Sequence, residues 1–236
     1  MDLQTAFFGT LIVFLMTELA LTWLWLQHKS HYQGLFYLPL ASALVGAASC
    51  LIVFRQQIPD WASIILANLL LFQVPILARK GFAAFFGLTT SRRFSYLLTT
   101  AAMLAQVYLT YIQPNLTLRL HVYGLVFSVL TGQLFWLLTR SVPQYYCKQL
   151  SPISLSLAVM VVGLIARSLS LVLFPLRDTD QLLDRNVDAY FILAMMGFWI
   201  LFTYAVMILV SRRLMDEVNL ERMKFDTMFY QSSDAS

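Results

Sequence analysis

Residues 58–80 read IPDWASIILANLLLFQVPILARK, and no charge falls between Asp60 and Arg79. At 1.5 Å per residue, about 20 apolar residues in helical form reach across the roughly 30 Å hydrocarbon core of a bilayer. An open strand would leave its backbone groups unpaired in lipid, so the run from Ile58 to Ala78 is read as a membrane helix. Asn68, Gln73 and Pro75 interrupt it from within. The proline removes a backbone donor and tends to kink the helix. An amide can satisfy the carbonyl so freed, bond a neighbouring helix, or meet a ligand.

Six further runs of this kind flank it: Thr5 to Leu26, Leu35 to Phe54, Phe94 to Gln113, Leu118 to Leu138, Ile153 to Leu176, and Asp188 to Val210. Polar or turn residues such as Gln27-His28-Lys29 and Gln113-Pro114-Asn115 bound them. Composition agrees, since only 12% of the 236 residues are charged where a soluble domain carries roughly a quarter. The mean hydropathy is +0.71. The expected fold is an all-α membrane protein, a bundle of about seven transmembrane helices with antiparallel neighbours. The N-terminus lacks a basic stretch and a small-residue cleavage site, so the first run is expected to stay as a helix.

Orientation follows from Lys and Arg in alternate connections. Nine fall on one side: Lys29, Arg79, Lys80, Arg92, Arg93, Arg140, Lys148, Arg212 and Arg213. Four fall on the other, Arg55, Arg119, Arg177 and Arg185, interleaved with Asp60, Asp178, Asp180, Asp184 and Asp188. This predicts an N-terminus outside and a C-terminus in the cytoplasm. Trp23, Trp25, Trp61, Trp136 and Tyr145-Tyr146 stand at run ends, where interfacial aromatics belong. The segment Gly81 to Gly87 is either a short stub along the inner membrane surface or an overrun of the third helix.

Two charges lie well inside runs, Glu18 in the first and Arg167 in the sixth. Each costs about 2.5–3.5 kcal/mol near the bilayer centre on insertion scales and so calls for a partner or a cavity. Their expected axial gap is roughly 8 Å, which a long arginine nearly spans. A structural ion pair and a ligand or proton site are both open readings. Gln106 and Gln133 are lone amides of the same kind. The second helix carries Ser42, Ala43, Gly46, Ala47 and Cys50, small residues that allow a close neighbour.

Inventory excludes several chemistries. The lysines Lys29, Lys80, Lys148 and Lys224 all fall in expected loops or the tail, which removes a retinal Schiff base. His28, His31 and His121 offer no haem ligands in the core, and no GxSxG, HExxH or P-loop motif occurs. No catalytic residue, metal or cofactor is expected, and Cys50 and Cys147 form no disulfide framework. The net charge of +4 comes from short caps between apolar runs and is no nucleic-acid signal. The sequon Asn115-Leu116-Thr117 lies too close to the membrane to be read as a glycosylation site.

After Val210 the character changes. Ser211 to Met228 is charged, with Leu214, Val218 and Phe225 at heptad-like intervals and Glu221 on the same seam. The division is a membrane domain of residues 1–210 and a cytoplasmic signalling helix over 211–236. An apolar stripe on a helix leaving the membrane suggests a homodimer through this segment.

Two stretches resemble a known family. Ile58-Pro59-Asp60-Trp61, followed by Ala67-Asn68-Leu69-Leu70-Leu71 and by Gly81-x-x-x-Phe85-x-Gly87, is similar to N-terminal membrane regions of bacterial GGDEF/EAL proteins. Those proteins make or degrade cyclic di-GMP. Gln73 stands where a glycine is usual and Ala83-Ala84 where basic residues are usual. Phe225 to Ala235 resembles the opening of PAS domains. The resemblance implies a sensory input module of an inner-membrane signalling protein, with PAS and cyclic di-GMP domains downstream. It would take an unidentified small-molecule or membrane signal. A small transporter or channel, and a passive anchor, are the alternatives.

Reporter fusions after Lys29, Thr90, Pro143 and Met215 are expected to report cytoplasm, and those at Gln57, Asn115 and Thr179 the outside. An outside signal at Met215 would reverse the orientation.

Overall fold

A computed structural model of the chain describes residues 3–29, 32, 34–55, 57–142, 146–173 and 186–233. His31, Arg177, Asp178, Asp180, Asp184, Arg185 and the last three residues, on which parts of the charge count and the PAS resemblance rest, lie outside them. The described residues are helical and contain no strand. The helices are α1 (Leu3–His28), α2 (Tyr37–Val53), α3 (Ala67–Phe85), α4 (Arg93–Tyr111), α5 (Leu116–Trp136), α6 (Cys147–Leu173) and α7 (Asn186–Ser233). Wider π-type turns over Trp61–Leu66 and Leu137–Ser141 extend α3 at its start and α5 at its end. Asn115 caps α5, its side-chain oxygen accepting from the Leu118 amide at 2.9 Å, which explains this residue without glycosylation.

Five of the seven helices are long and apolar enough to cross a membrane: α1, α3 with its π turn, α5 with its π turn, α6 and α7. Helix α2 is apolar but only 17 residues long. Helix α4 is 19 residues long but carries Arg93, Ser95, Thr99, Thr100, Gln106 and Thr110. The outward surface fits a membrane protein. Ile12, Leu15, Met16, Leu19 and Trp23 of α1 are all more than half exposed, a continuous apolar face that water does not tolerate at this size. Trp61 and Trp136 also point outward.

Packing builds a ring in the order α1, α2, α3, α5, α6, α7 and back to α1, with α4 seated outside against α3 and α5. The ring is filled. Leu38, Val74, Phe127, Leu157, Phe198 and Phe202 meet at its centre around a void of about 30 Å³, room for about one water. Edge-on aromatic contacts tie α7 to its neighbours, with Trp199 6.0 Å from Phe14 and Phe202 6.2 Å from Phe82.

The structure decides one expectation that the sequence leaves open and changes two others. Helix α3 runs unbroken to Phe85, with Gly81, Phe82, Ala83 and Phe85 buried, so Gly81–Gly87 is no separate surface stub. Lys80 accordingly lies in a helix rather than a loop, its ammonium 4.0 Å over the Tyr37 ring. On α2, the buried side is Ala41, Ser42, Val45 and Ala48. Ala43, Ala47 and Cys50 face outward, and Gly46 has nothing within 4 Å of where a side chain would start. The small-residue stripe therefore does not pack on another helix of this chain, apart from Ser42.

The close backbone approach occurs elsewhere, at Gly34 in the α1–α2 connection. A methyl group on Gly34 would overlap the Gly81 carbonyl oxygen and the Phe85 amide of α3. Backbone atoms cannot swing aside as a side chain can, so Gly34→Ala is expected to cost about 1–3 kcal/mol, the usual range for overpacking. Gly46→Ala, into open space on a helix, should be neutral or stabilise by up to about 1 kcal/mol. Thermal melts of the two variants in detergent check the contrast, and equal melting would refute it.

Candidate functional site at one end of the bundle

The Gly34 contact lays residues 34–36 against the end of α3 and brings Tyr32 within 5.0 Å of the Phe85 ring. Phe85 and Phe86 stand edge to face at 5.1 Å, and Phe86 meets Tyr146 at 5.4 Å. Into this aromatic rim α7 projects Arg213. Its Nη1 donates to the Phe85 carbonyl oxygen at 2.6 Å, and Nε reaches Glu217 Oε1, one turn on, at 3.3 Å. The guanidinium carbon lies 4.5 Å from the Phe85 ring centre and 4.9 Å from that of Tyr32.

The chemistry is local and strong. The last carbonyls of a helix have no intrahelical donor and carry partial negative charge. A guanidinium satisfies one of them through a charge-assisted bond worth about 1.5–3 kcal/mol. The Glu217 pair is half exposed and adds little. Burial pushes the Tyr32 hydroxyl above the ordinary tyrosine range, with the Glu217 carboxylate second. Among the described residues that hydroxyl has no hydrogen-bond partner, so Glu217 acts on it as a nearby charge. Beside the cluster opens a cleft of about 420 Å³, lined by Tyr32, Ala84, Phe85, Phe86, Arg213 and Glu217 among others.

The intramembrane residues singled out in the sequence are not brought together. Glu18 accepts from Thr22 of its own helix at 3.0 Å and lies against Ser42 of α2. Helix α1 packs on α2 and α7 rather than on α6, and no bond between Glu18 and Arg167 is seen among the described residues. Arg167 instead acts on Tyr123 of α5. Asn68 and Gln73 are half-buried, and no hydrogen bond of either is seen among the described residues. The working amides are the other two. Gln106, fully buried, donates to the Arg119 carbonyl at 3.0 Å and ties α4 to α5. Gln133 accepts from Arg79 at 2.6 Å and ties α5 to α3.

The coupling residues are divided as well. Leu214 packs against the bundle core, whereas Val218 and Phe225 are mostly exposed, as is Met215. On the opposite end, the Asp60 carboxylate acts on both Arg55 and Arg119, and burial holds the Arg55 guanidinium below its ordinary value.

Sequence reasoning counted Arg79 and Arg213 only as loop charges. The available signal for Arg213 was an arginine about one helical turn past the last apolar residue, in reach of any neighbouring helix end. Comparison with known proteins adds no family to this geometry: no family model matches the chain, and no curated protein or solved structure matches it.

Arg213→Gln is expected to lower stability by about 1–3 kcal/mol, because the Phe85 carbonyl loses a charged donor. Arg213→Lys should recover less than half of that, lacking the planar fork. Glu217→Gln should change it by less than about 0.5 kcal/mol. A detergent melt in which Arg213→Gln equals the parent would show that the contact contributes nothing.

Proposed function

We propose that this chain is a membrane-embedded sensory or regulatory module whose output element is α7. The observation that carries the reading is the 48-residue span of that helix. It is anchored by Trp199, Phe202 and Val206 inside the bundle, held again at Arg213, and continues as one helix to Ser233. A helix that is both wall and exit transmits a shift or rotation of the bundle without an intervening hinge. Arg213 bonds α3 and α7 where they part, so the bond has two natural states, made and broken, which is what a switch requires.

The nine-to-four charge split supports seven crossings with this end in the cytoplasm of a bacterial inner membrane. It thereby assigns α2 and α4 as crossings despite their shortness or polarity, with short helices accommodated by local thinning of the bilayer. The resemblance of residues 58–87 to membrane regions of GGDEF/EAL proteins, and of residues 225–235 to the opening of PAS domains, supports cyclic di-GMP and PAS domains as the downstream partners. The filled ring centre favours this reading over a channel. A second copy of the chain, pairing in parallel through the outward side of α7 at Met215 and Val218, would receive the motion.

Single cysteines at 215 and 218, in a background without Cys50 and Cys147, are expected to crosslink between copies in native membranes. Cysteines at 214 and 217, which face the bundle and the cleft, should crosslink several-fold less. Arg213→Gln should shift the preferred position, because α7 is then released from α3. Uniform crosslinking around the helix, unchanged by Arg213→Gln, would reduce the module to an anchor.

A further inference from the structure

Arg79 lies six residues before the end of α3, between α4 and α5. Its Nη1 donates to Gln133 Oε1 at 2.6 Å and to Ser95 Oγ at 3.3 Å, and the Ser95 hydroxyl donates to the same Gln133 oxygen at 2.7 Å. One acceptor oxygen thus serves two donors. Two further donors at the site, Arg79 Nε and Gln133 Nε2, are buried and have no acceptor. One turn deeper on α4, the Thr99 hydroxyl is 4% exposed and also without a partner. Among the described residues no carboxylate pairs with Arg79, and the charge of Arg92 acts on it as a second cation.

This accounting is lopsided in one direction. The half-buried guanidinium is held by neutral groups and has no counter-ion among the described residues, and each orphaned buried donor adds a further cost. A water could accept from these two N–H groups, but it would bring no negative charge to offset the two arginines. An oxyanion answers both deficits. The planar guanidinium fork, a neighbouring amide and a second arginine are the donor set that suits phosphate oxygens.

Depth narrows the source. The stretch Trp61–Phe85 is 25 residues, or about 38 Å as a helix, against a hydrocarbon core of roughly 30 Å. Counted from Trp61, the hydrocarbon ends near Lys80, so Arg79 sits where acyl chains give way to headgroups. We infer that Arg79, Gln133, Ser95 and Arg92 form a binding site for a phosphate group between α3, α4 and α5, at the level of the headgroups. This site is separate from the Arg213 cleft and does not depend on the signalling role.

The test uses the whole 236-residue chain in maltoside detergent micelles, which carry no phosphate, alone, with phosphatidylglycerol added, or with inorganic phosphate added to the first. The readouts are the melting midpoint from tryptophan fluorescence and retained lipid by native mass spectrometry. Phosphatidylglycerol should raise the midpoint, and Arg79→Gln should weaken its retention by roughly tenfold or more, the loss expected for a charge-assisted hydrogen bond. Arg92→Gln should weaken retention less, while Arg93→Gln and Arg140→Gln, exposed cations nearby, should leave it unchanged. If Arg79→Gln does not fold, Gln133→Leu and Arg92→Gln carry the same comparison. An equal gain from inorganic phosphate, lost in the same variants, assigns the site to soluble phosphates rather than lipid. The inference is overturned if neither addition stabilises the parent, or if the Arg79, Arg92 and Gln133 variants respond as the exposed-arginine controls do.

Discussion

Gly34 and Gly81 touch backbone to backbone, and one end of the bundle is organised around that contact. Any side chain at Gly34 would meet the Gly81 carbonyl and the Phe85 amide, so the α1–α2 connection can lie on α3 only because a Cβ is missing. From this follow the position of Tyr32 against Phe85, the aromatic rim that continues to Tyr146, and the seat for Arg213. The carbonyl of Phe85 is presented to α7 because α3 ends beneath that connection, with its final donors and acceptors facing a rim of rings.

Inside the bundle, charge is handled sparingly. Glu18 accepts from the Thr22 hydroxyl, and Arg79 is held by an amide and a hydroxyl. Neutral partners leave each of these charges without a counter-ion among the described residues, and so open to one. The helices are otherwise joined by packing and by single amide bonds such as Gln106 to Arg119. Such bonds are modest in membranes, about 0.6 kcal/mol on average, so the fold rests mainly on complementary surfaces around Phe72, Phe127, Trp199 and Phe202.

That balance bears on function. A ring whose centre is packed, with one long helix bonded at a single point as it leaves, is suited to small collective shifts rather than to passage of a solute. The α7 helix packs along α1 and α6, meets α3 through Phe202 and Phe82, and gains a further tie to α3 at Arg213. A disturbance at α1, α3 or α6 therefore reaches α7 through direct contact. Packed cores answer such disturbances by stepping between arrangements rather than by bending continuously.

Apolar run length and spacing determined the helical class, the approximate position of every helix and the uneven basic charge, because lipid forces each backbone polar group to pair within its own segment. The helix ends were less legible: Gly81 to Phe85 reads as a surface stub or as helix, and only the Gly34 contact makes it helix. The sequence also marked Glu18, Arg167, Asn68 and Gln73 as polar anomalies, but it could not say which polar groups meet. Each residue turns a helix by about 100°, so partners depend on the rotation and pairing of whole helices. The tertiary structure decided that Glu18 faces α2 rather than α6, that Ala43 and Ala47 face outward, and that Leu214 packs inward while Val218 does not. It brought Arg79 to Gln133 and Arg213 to Phe85 because those contacts join residues 54 and 128 positions apart, a separation that no local pattern of hydropathy or charge encodes.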